Sequence, residues 1–232
     1  MVFFSLKFKF IAELLSRFNM LEAKGVSTPM STTEPLLLNN GSPPTNAKEY
    51  RQVIGALQYL TNTRPNILIA VNGLAQFMHL PSIKHWQAAK RLLSYLKQTI
   101  TLELHISPSE TTRLTTYSDA DWGGDPDSRV SASAYIIFYG SIPVSWSFRK
   151  QHTIARSSTE AEYRAVASTV AELNWLTHLH NELHLSLKHT PIVLCENIGV
   201  TYLCKNQIFH SRMKHVAIDF HFIRDQVEKK LK

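Results

Sequence analysis

Three acidic residues stand where carboxylates can do chemistry. Asp119 closes a strand-like run from Arg113 to Ser118, Glu162 falls in the first turn of a long helical pattern, and Glu196 follows an apolar run from Pro191 to Cys195. In a strand–helix–strand unit, strand ends and helix starts converge on one edge of the sheet. Carboxylates gathered there repel one another and are relieved by divalent cations, and two ions ~3.5–4 Å apart can clamp the in-line attack of water on a phosphodiester. Oxygen-only ligands fit magnesium. Any one of these acids alone reads as a solvated or capping group; the ordered set carries the reading. Glu160 is placed to cap, because Ser157-Ser158-Thr159-Glu160 offers a hydroxyl to the first turn and a glutamate that reaches back.

Other signals are weaker. His180 and His184 make an i, i+4 pair, but Asn181 follows His180 and the order of a zinc helix is not met, so surface histidines are expected. Asp119, Asp121, Asp125 and Asp127 mimic a calcium loop until Trp122 interrupts the spacing, so a turn before the second strand is expected. Lys84, Lys90, Arg91 and Lys97 share the solvent side of one helical pattern, and Arg212 and Lys214 lie in a basic stretch with His210 and His215. Both groups are candidate phosphate contacts for a nucleic acid.

The elements that must position these residues follow from periodicity. Helical patterns run from Phe10 to Phe18, through Val53, Leu57 and Leu60, from Ile67 to Met78 with Pro65 in the first turn, and from Lys84 to Lys97 over Trp86, Ala89, Leu93 and Leu96. Ser27 to Ala47 reads as a loop. The helical period stops around residues 101–111. Strand-like runs follow at Arg113 to Ser118, Ala134 to Tyr139 and Pro143 to Phe148. One long helix from about Thr159 to Leu183 turns Tyr163, Val166, Val170, Leu173 and Leu176 to one side, and a buried strand and a final helix complete the order. We place a boundary between a mainly helical segment, 1–110, and an α/β domain, 111–232.

Composition narrows the class. The 232 residues carry a net charge of +7, and the first 110 hold 11 Lys and Arg against 6 Asp and Glu. A basic balance suits a polyanionic partner. Two cysteines exclude a disulfide-framed secreted scaffold and point to a reducing intracellular compartment, cytoplasm or nucleus. No run of about 18 apolar residues appears, so no membrane span is expected.

Three motifs together resemble the ribonuclease H region of copia-type retrotransposon Pol polyproteins. They are Tyr117-Ser118-Asp119-Ala120-Asp121-Trp122-Gly123-Gly124, Ser157-Ser158-Thr159-Glu160-Ala161-Glu162-Tyr163-Arg164-Ala165 and Phe209-His210-Ser211-Arg212-Met213-Lys214-His215. The front half is similar to the C-terminal end of the same polyprotein's reverse transcriptase, through Leu14-Leu15-Ser16-Arg17-Phe18-Asn19-Met20, Val26-Ser27-Thr28-Pro29-Met30, Tyr50 to Leu60 and Thr63-Arg64-Pro65.

The resemblance implies a ribonuclease-H-like mixed sheet with flanking helices, preceded by a thumb- or connection-like helical segment. It implies an endonuclease that cuts the RNA strand of an RNA/DNA hybrid with two Mg2+ ions, held by Asp119, Glu162 and Glu196 as catalytic and metal-ligating residues. Remaining polyprotein segments are implied partners. Glu196 stands where the family has an aspartate, and a longer side chain displaces one ligand. The family continues into a fifth strand and a helix with a fourth aspartate, whereas this sequence stops at Lys232, and Asp219 precedes that region. Impaired turnover is therefore expected, with an inactive nucleic-acid-binding remnant as the alternative. No paired aspartates of a polymerase palm occur before Asp119, so polymerase activity is not expected.

Overall fold

The computed structural model describes residues 2–31, 33–104, 106, 113–185, 187–205 and 216–230. Its contacts fall into two compact units, Met1–His105 and Ile106–Lys232. No helix among the described residues is long and apolar enough to cross a membrane.

The first unit contains α1 (Val2–Arg17), α2 (Ala47–Thr61), a 3-10 turn (Pro65–Ile67), α3 (Leu68–Ala75) and α4 (Ile83–Gln98). The helical pattern read from Ile67 to Met78 is shorter in the structure. Proline fixes the entry as a 3-10 turn, and α3 ends at Ala75. The expected apolar positions still converge: Val53, Leu57 and Leu60 pack with Ile67, Ala70, Val71, Leu74, Ala89, Leu93 and Leu96 in one core with Leu14 and Leu15 of α1.

Polar groups close the ends of these helices. Asn46 caps α2 by accepting from the Lys48 and Glu49 N–H groups. Ser82 caps α4 in a reciprocal pair with His85, whose Nδ1 accepts from the Ser82 N–H at 3.0 Å. That bond fixes the tautomer, leaving Nε2–H to donate to the Leu37 carbonyl at 2.9 Å. Arg64 is 3% exposed, donates to the Thr99 carbonyl, the Thr99 hydroxyl and Asn66 Oδ1, and so ties the 3-10 turn to the end of α4.

The second unit is α/β. Strands β1 (Leu114–Asp121), β2 (Ala132–Tyr139), β3 (Ile142–Lys150) and β4 (Ile192–Cys195) form a mixed sheet in the order β3-β2-β1-β4. The β1–β2 and β2–β3 pairs are antiparallel, and β1–β4 is parallel. A parallel pair needs a crossover, and α5 (Ser158–Glu182) supplies it. Tyr163, Val166 and Val170 of α5 pack with Val200 of α6 (Ile198–Lys205) and with Phe220 and Ile223 of α7 (Ala217–Lys230). Leu173 and Leu176 pack with Leu114 and Ile137 of the sheet. All five apolar α5 positions read from the sequence are thus buried. The alternate residues of β1 point away from α5, and Tyr117 among them is 51% exposed.

Candidate active site

The ends of the two parallel strands, β1 and β4, and the start of α5 meet at one place. Asp119 lies near the end of β1, and Glu196 directly follows β4. Glu162 lies one turn into α5, where Ser157 accepts from the Glu160 N–H and fixes the entry. Ser118, on the opposite side of β1 from Asp119, accepts from Thr169 of α5 at 3.1 Å and sets the depth at which helix and strand dock.

Glu162 connects the group. Its carboxyl lies within electrostatic reach of the Ala120 N–H, of Asp119 and of Glu196. Cys195 adds a thiol 3.9 Å from Glu162 Oε2. Burial first, then the negative charge of Asp119, pushes the Glu162 carboxyl above the usual carboxylate range. The Cys195 thiol is also pushed up, mainly by burial and further by Glu162 and Asp119.

Glycines shape the turn beyond Asp119. Gly123 takes φ +64°, and a side-chain atom on Gly124 would overlap the Asp121 carboxylate. Asp125 accepts from the Asp127 N–H at 3.1 Å and pairs with Ser128 and Lys150, so it holds the turn before β2 as the sequence reading expects. Glu160 accepts from the Arg156 N–H and pairs with Arg164, which agrees with a capping role. Asp219 is half-buried on α7 and is raised by burial, with Arg164 opposing; it answers to that arginine rather than to Glu162.

The donor chemistry of Asp119, Glu162 and Glu196 suits a hard divalent ion, and the negative charge of Asp119 that raises Glu162 is one that a cation would relieve. The number falls short. Among the described residues no three His, Cys, Asp or Glu side chains stand as a group able to hold a metal ion. The α5 histidines are no exception, since His180 Nδ1 bonds the Leu176 carbonyl at 2.8 Å.

The basic candidates on α4 divide into two pairs. Arg91 donates to Thr28 at 2.7 Å, and Lys97 donates to the Ala23 carbonyl at 2.8 Å, so both tie α4 to the segment after α1. Lys84 is exposed, and Lys90 lies over the Trp86 ring at 5.8 Å. Arg212 and Lys214 lie outside the described residues. Sequence reasoning did not single out the Ala120 N–H and Cys195, which complete the surroundings of Glu162; their position between Asp119 and Glu196 was the available signal.

Among known proteins, the chain is 50% identical over 220 residues to the retrovirus-related Pol polyprotein from transposon RE2 of Arabidopsis thaliana, covering 95% of this chain and 15% of that protein. It is 36% identical over 229 residues to the corresponding polyprotein from transposon TNT 1-94 of Nicotiana tabacum, covering 95% of this chain and 17% of that protein. An uncharacterized mitochondrial protein of Arabidopsis thaliana is 40% identical over 170 residues, 72% of this chain and 69% of its own length. No protein-family model matches the chain, and no solved structure matches it.

Proposed function

Because the chain belongs to the Pol polyproteins of copia-type transposons, we propose that its Ile106–Lys232 unit is a ribonuclease-H-like domain directed at the RNA strand of RNA/DNA hybrids, with impaired turnover. Met1–His105 is then the helical end of a reverse transcriptase without polymerase activity, and the whole works inside the cell, in the cytoplasm or nucleus. The observation that carries the reading is that Asp119 near the end of β1, Glu162 near the start of α5 and Glu196 just after β4 lie within electrostatic reach of one another.

Asp119, Glu162 and Glu196 are the residues that a magnesium ion would have to draw together, since they do not stand as a ready three-ligand group. Bound there, the metal supplies an activated water and relief of charge on the leaving oxygen. The chain's own part is positional: Thr169 and Ser118 hold α5 against β1. Lys84 and Lys90 offer phosphate contacts, and their contribution to affinity is electrostatic and salt-dependent.

A second reading, hybrid binding without turnover, is favoured by the lack of any three-ligand group among the described residues. One experiment separates the two. A labelled RNA/DNA hybrid is incubated with magnesium and the wild-type chain, Asp119→Asn or Glu196→Asp. The impaired-enzyme reading expects slow cleavage that Asp119→Asn abolishes and Glu196→Asp raises by ~10-fold or more, since a misplacement of about 1 Å costs up to ~100-fold in rate. Binding with no cleavage by any of the three supports the second reading. Cleavage indifferent to Asp119→Asn, or no hybrid binding at low salt, overturns both.

A further inference from the structure

Where the chain leaves β1 it turns an aromatic ring toward solvent. Trp122 directly follows Asp121, the last residue of β1, and is 54% exposed. An exposed side chain held in one orientation needs a tie, and here the indole supplies it: Nε1–H donates to the Ala155 carbonyl at 3.1 Å. One edge of the ring is thereby fixed to the segment between β3 and α5. The main chain beside it is fixed as well, because the Gly123 N–H donates to Ser131 Oγ at 3.1 Å. Two arginines flank the ring through the main chain that holds it. Arg156 follows Ala155, and its own N–H donates to Glu160. On the other side, the Arg129 carbonyl lies 3.9 Å from where a side-chain atom on Gly123 would stand. Both arginine side chains are exposed. Two nearby cations are already paired, Lys150 with Asp125 and Arg164 with Glu160. Arg129 also sits at φ +57°, a backbone region that favours glycine, so the backbone does not account for an arginine there.

We infer that Trp122, Arg129 and Arg156 form a contact for an unpaired nucleotide, with the ring stacking on its base and the arginines meeting the flanking phosphates. The partner follows from the three side chains together. An open ring takes any base by its face, whereas bases inside a duplex already stack on one another and offer only their edges. Guanidinium groups match phosphate oxygens in a planar fork and stay charged. An acidic peptide would engage the arginines and leave the ring unused. The inference rests on the reading of Ile106–Lys232 as a unit directed at nucleic acid, and adds that a single strand is held beside Asp119, three residues before Trp122.

The test uses the full chain with a labelled short oligothymidylate and, in parallel, a blunt-ended RNA/DNA hybrid, read by fluorescence anisotropy and thermal unfolding. Trp122→Ala should bind the single strand about tenfold more weakly and the blunt hybrid as wild type does. Trp122→Phe keeps a ring but gives up the bond to Ala155, so it should retain most of the single-strand affinity despite a lower Tm. A tryptophan with only a structural role would instead lose binding in both variants in step with Tm. Tryptophan emission of wild type should be quenched by the oligothymidylate, and that quench should be missing from Trp122→Phe. Arg129→Gly relieves the left-handed backbone, so its Tm should be no lower than that of wild type, while its affinity falls several-fold and the log–log salt slope drops by about 0.7. If Trp122→Ala fails to fold, Arg129→Gly and the quench decide instead. Undiminished single-strand binding by folded Trp122→Ala, an equal loss on the blunt hybrid, or no saturable binding of the single strand by wild type overturns the contact. Hybrid cleavage that Asp119→Asn abolishes would stand in each of those cases, so the contact can fail while the hybrid reading holds.

Discussion

The two units differ in how they treat their buried polar groups. In Met1–His105, Arg64, Ser82 and His85 are nearly or wholly buried, and each is hydrogen-bonded to main chain or to a neighbouring cap, with Arg91 Nε left buried and unpartnered. In Ile106–Lys232, Glu162 is buried beside another carboxylate, Asp219 is raised by burial, and Arg113 and Thr116 keep buried polar atoms without partners. Burial with full satisfaction fixes a structure. Burial with unrelieved charge stores a preference for a ligand, and such groups cluster where proteins bind or react. The most buried polar groups of the helical unit hold its shape, while the α/β unit keeps a buried carboxyl beside another carboxylate.

The largest effect should come from breaking the satisfied side. Arg64→Ala removes three hydrogen bonds and leaves the Thr99 carbonyl without its guanidinium, so the helical unit should lose about 3 kcal/mol. Hydrogen exchange of α2 to α4 amides measures it, and no loss would mean that Arg64 is not the tie described here. A smaller effect of opposite sign is expected in the other unit. Glu162→Gln removes an unrelieved carboxyl and should stabilise that unit by about 1.5 kcal/mol near neutral pH, while ending any cleavage. Because the folded value of Glu162 is raised, its contribution to stability is full below the ordinary glutamate range and is lost as pH rises through the raised value. Urea unfolding across that window should show this slope in wild type and not in the variant. The smallest effects separate the α4 cations. Lys97→Ala should cost about 1 kcal/mol by freeing the Ala23 carbonyl. Lys84→Ala with Lys90→Ala should leave stability nearly unchanged and lower the salt dependence of hybrid binding by about two in log–log slope. Equal behaviour of the two pairs would erase the distinction between ties and contacts.

Apolar periodicity made the frame of both units legible. The α5 stripe, the four strands and the Ser157 cap are local patterns, and neighbours in sequence carry enough of the energetics to reveal them. The positions of Asp119, Glu162 and Glu196 were legible for a related reason: each adjoins the end of a strand or the start of a helix. What the sequence concealed were the long-range polar bonds. His85 carries no signal in the sequence, yet its Nε2 meets Leu37, 48 residues away. Lys97 and Arg91 read as solvent-facing cations until Ala23 and Thr28, 74 and 63 residues earlier, supplied acceptors. A lysine facing water and a lysine tied to a distant carbonyl have the same sequence pattern, because the partner is set only by the folded path of the chain.

Among the described residues, the sheet order β3-β2-β1-β4 leaves two unlike borders. β3 begins with Ile142-Pro143, shifts register between Ile137 and Phe138 of its partner, and ends in Arg149 and Lys150. Proline withholds a donor, the irregularity bends the strand, and the cations repel a second copy. β4 has none of these guards: Ile192-Val193-Leu194-Cys195 is short, uncharged and rich in residues that favour strands. At high concentration, aggregation by strand addition should therefore nucleate at β4 rather than β3, and a lysine at Leu194, which is 43% exposed, is the change that would suppress it.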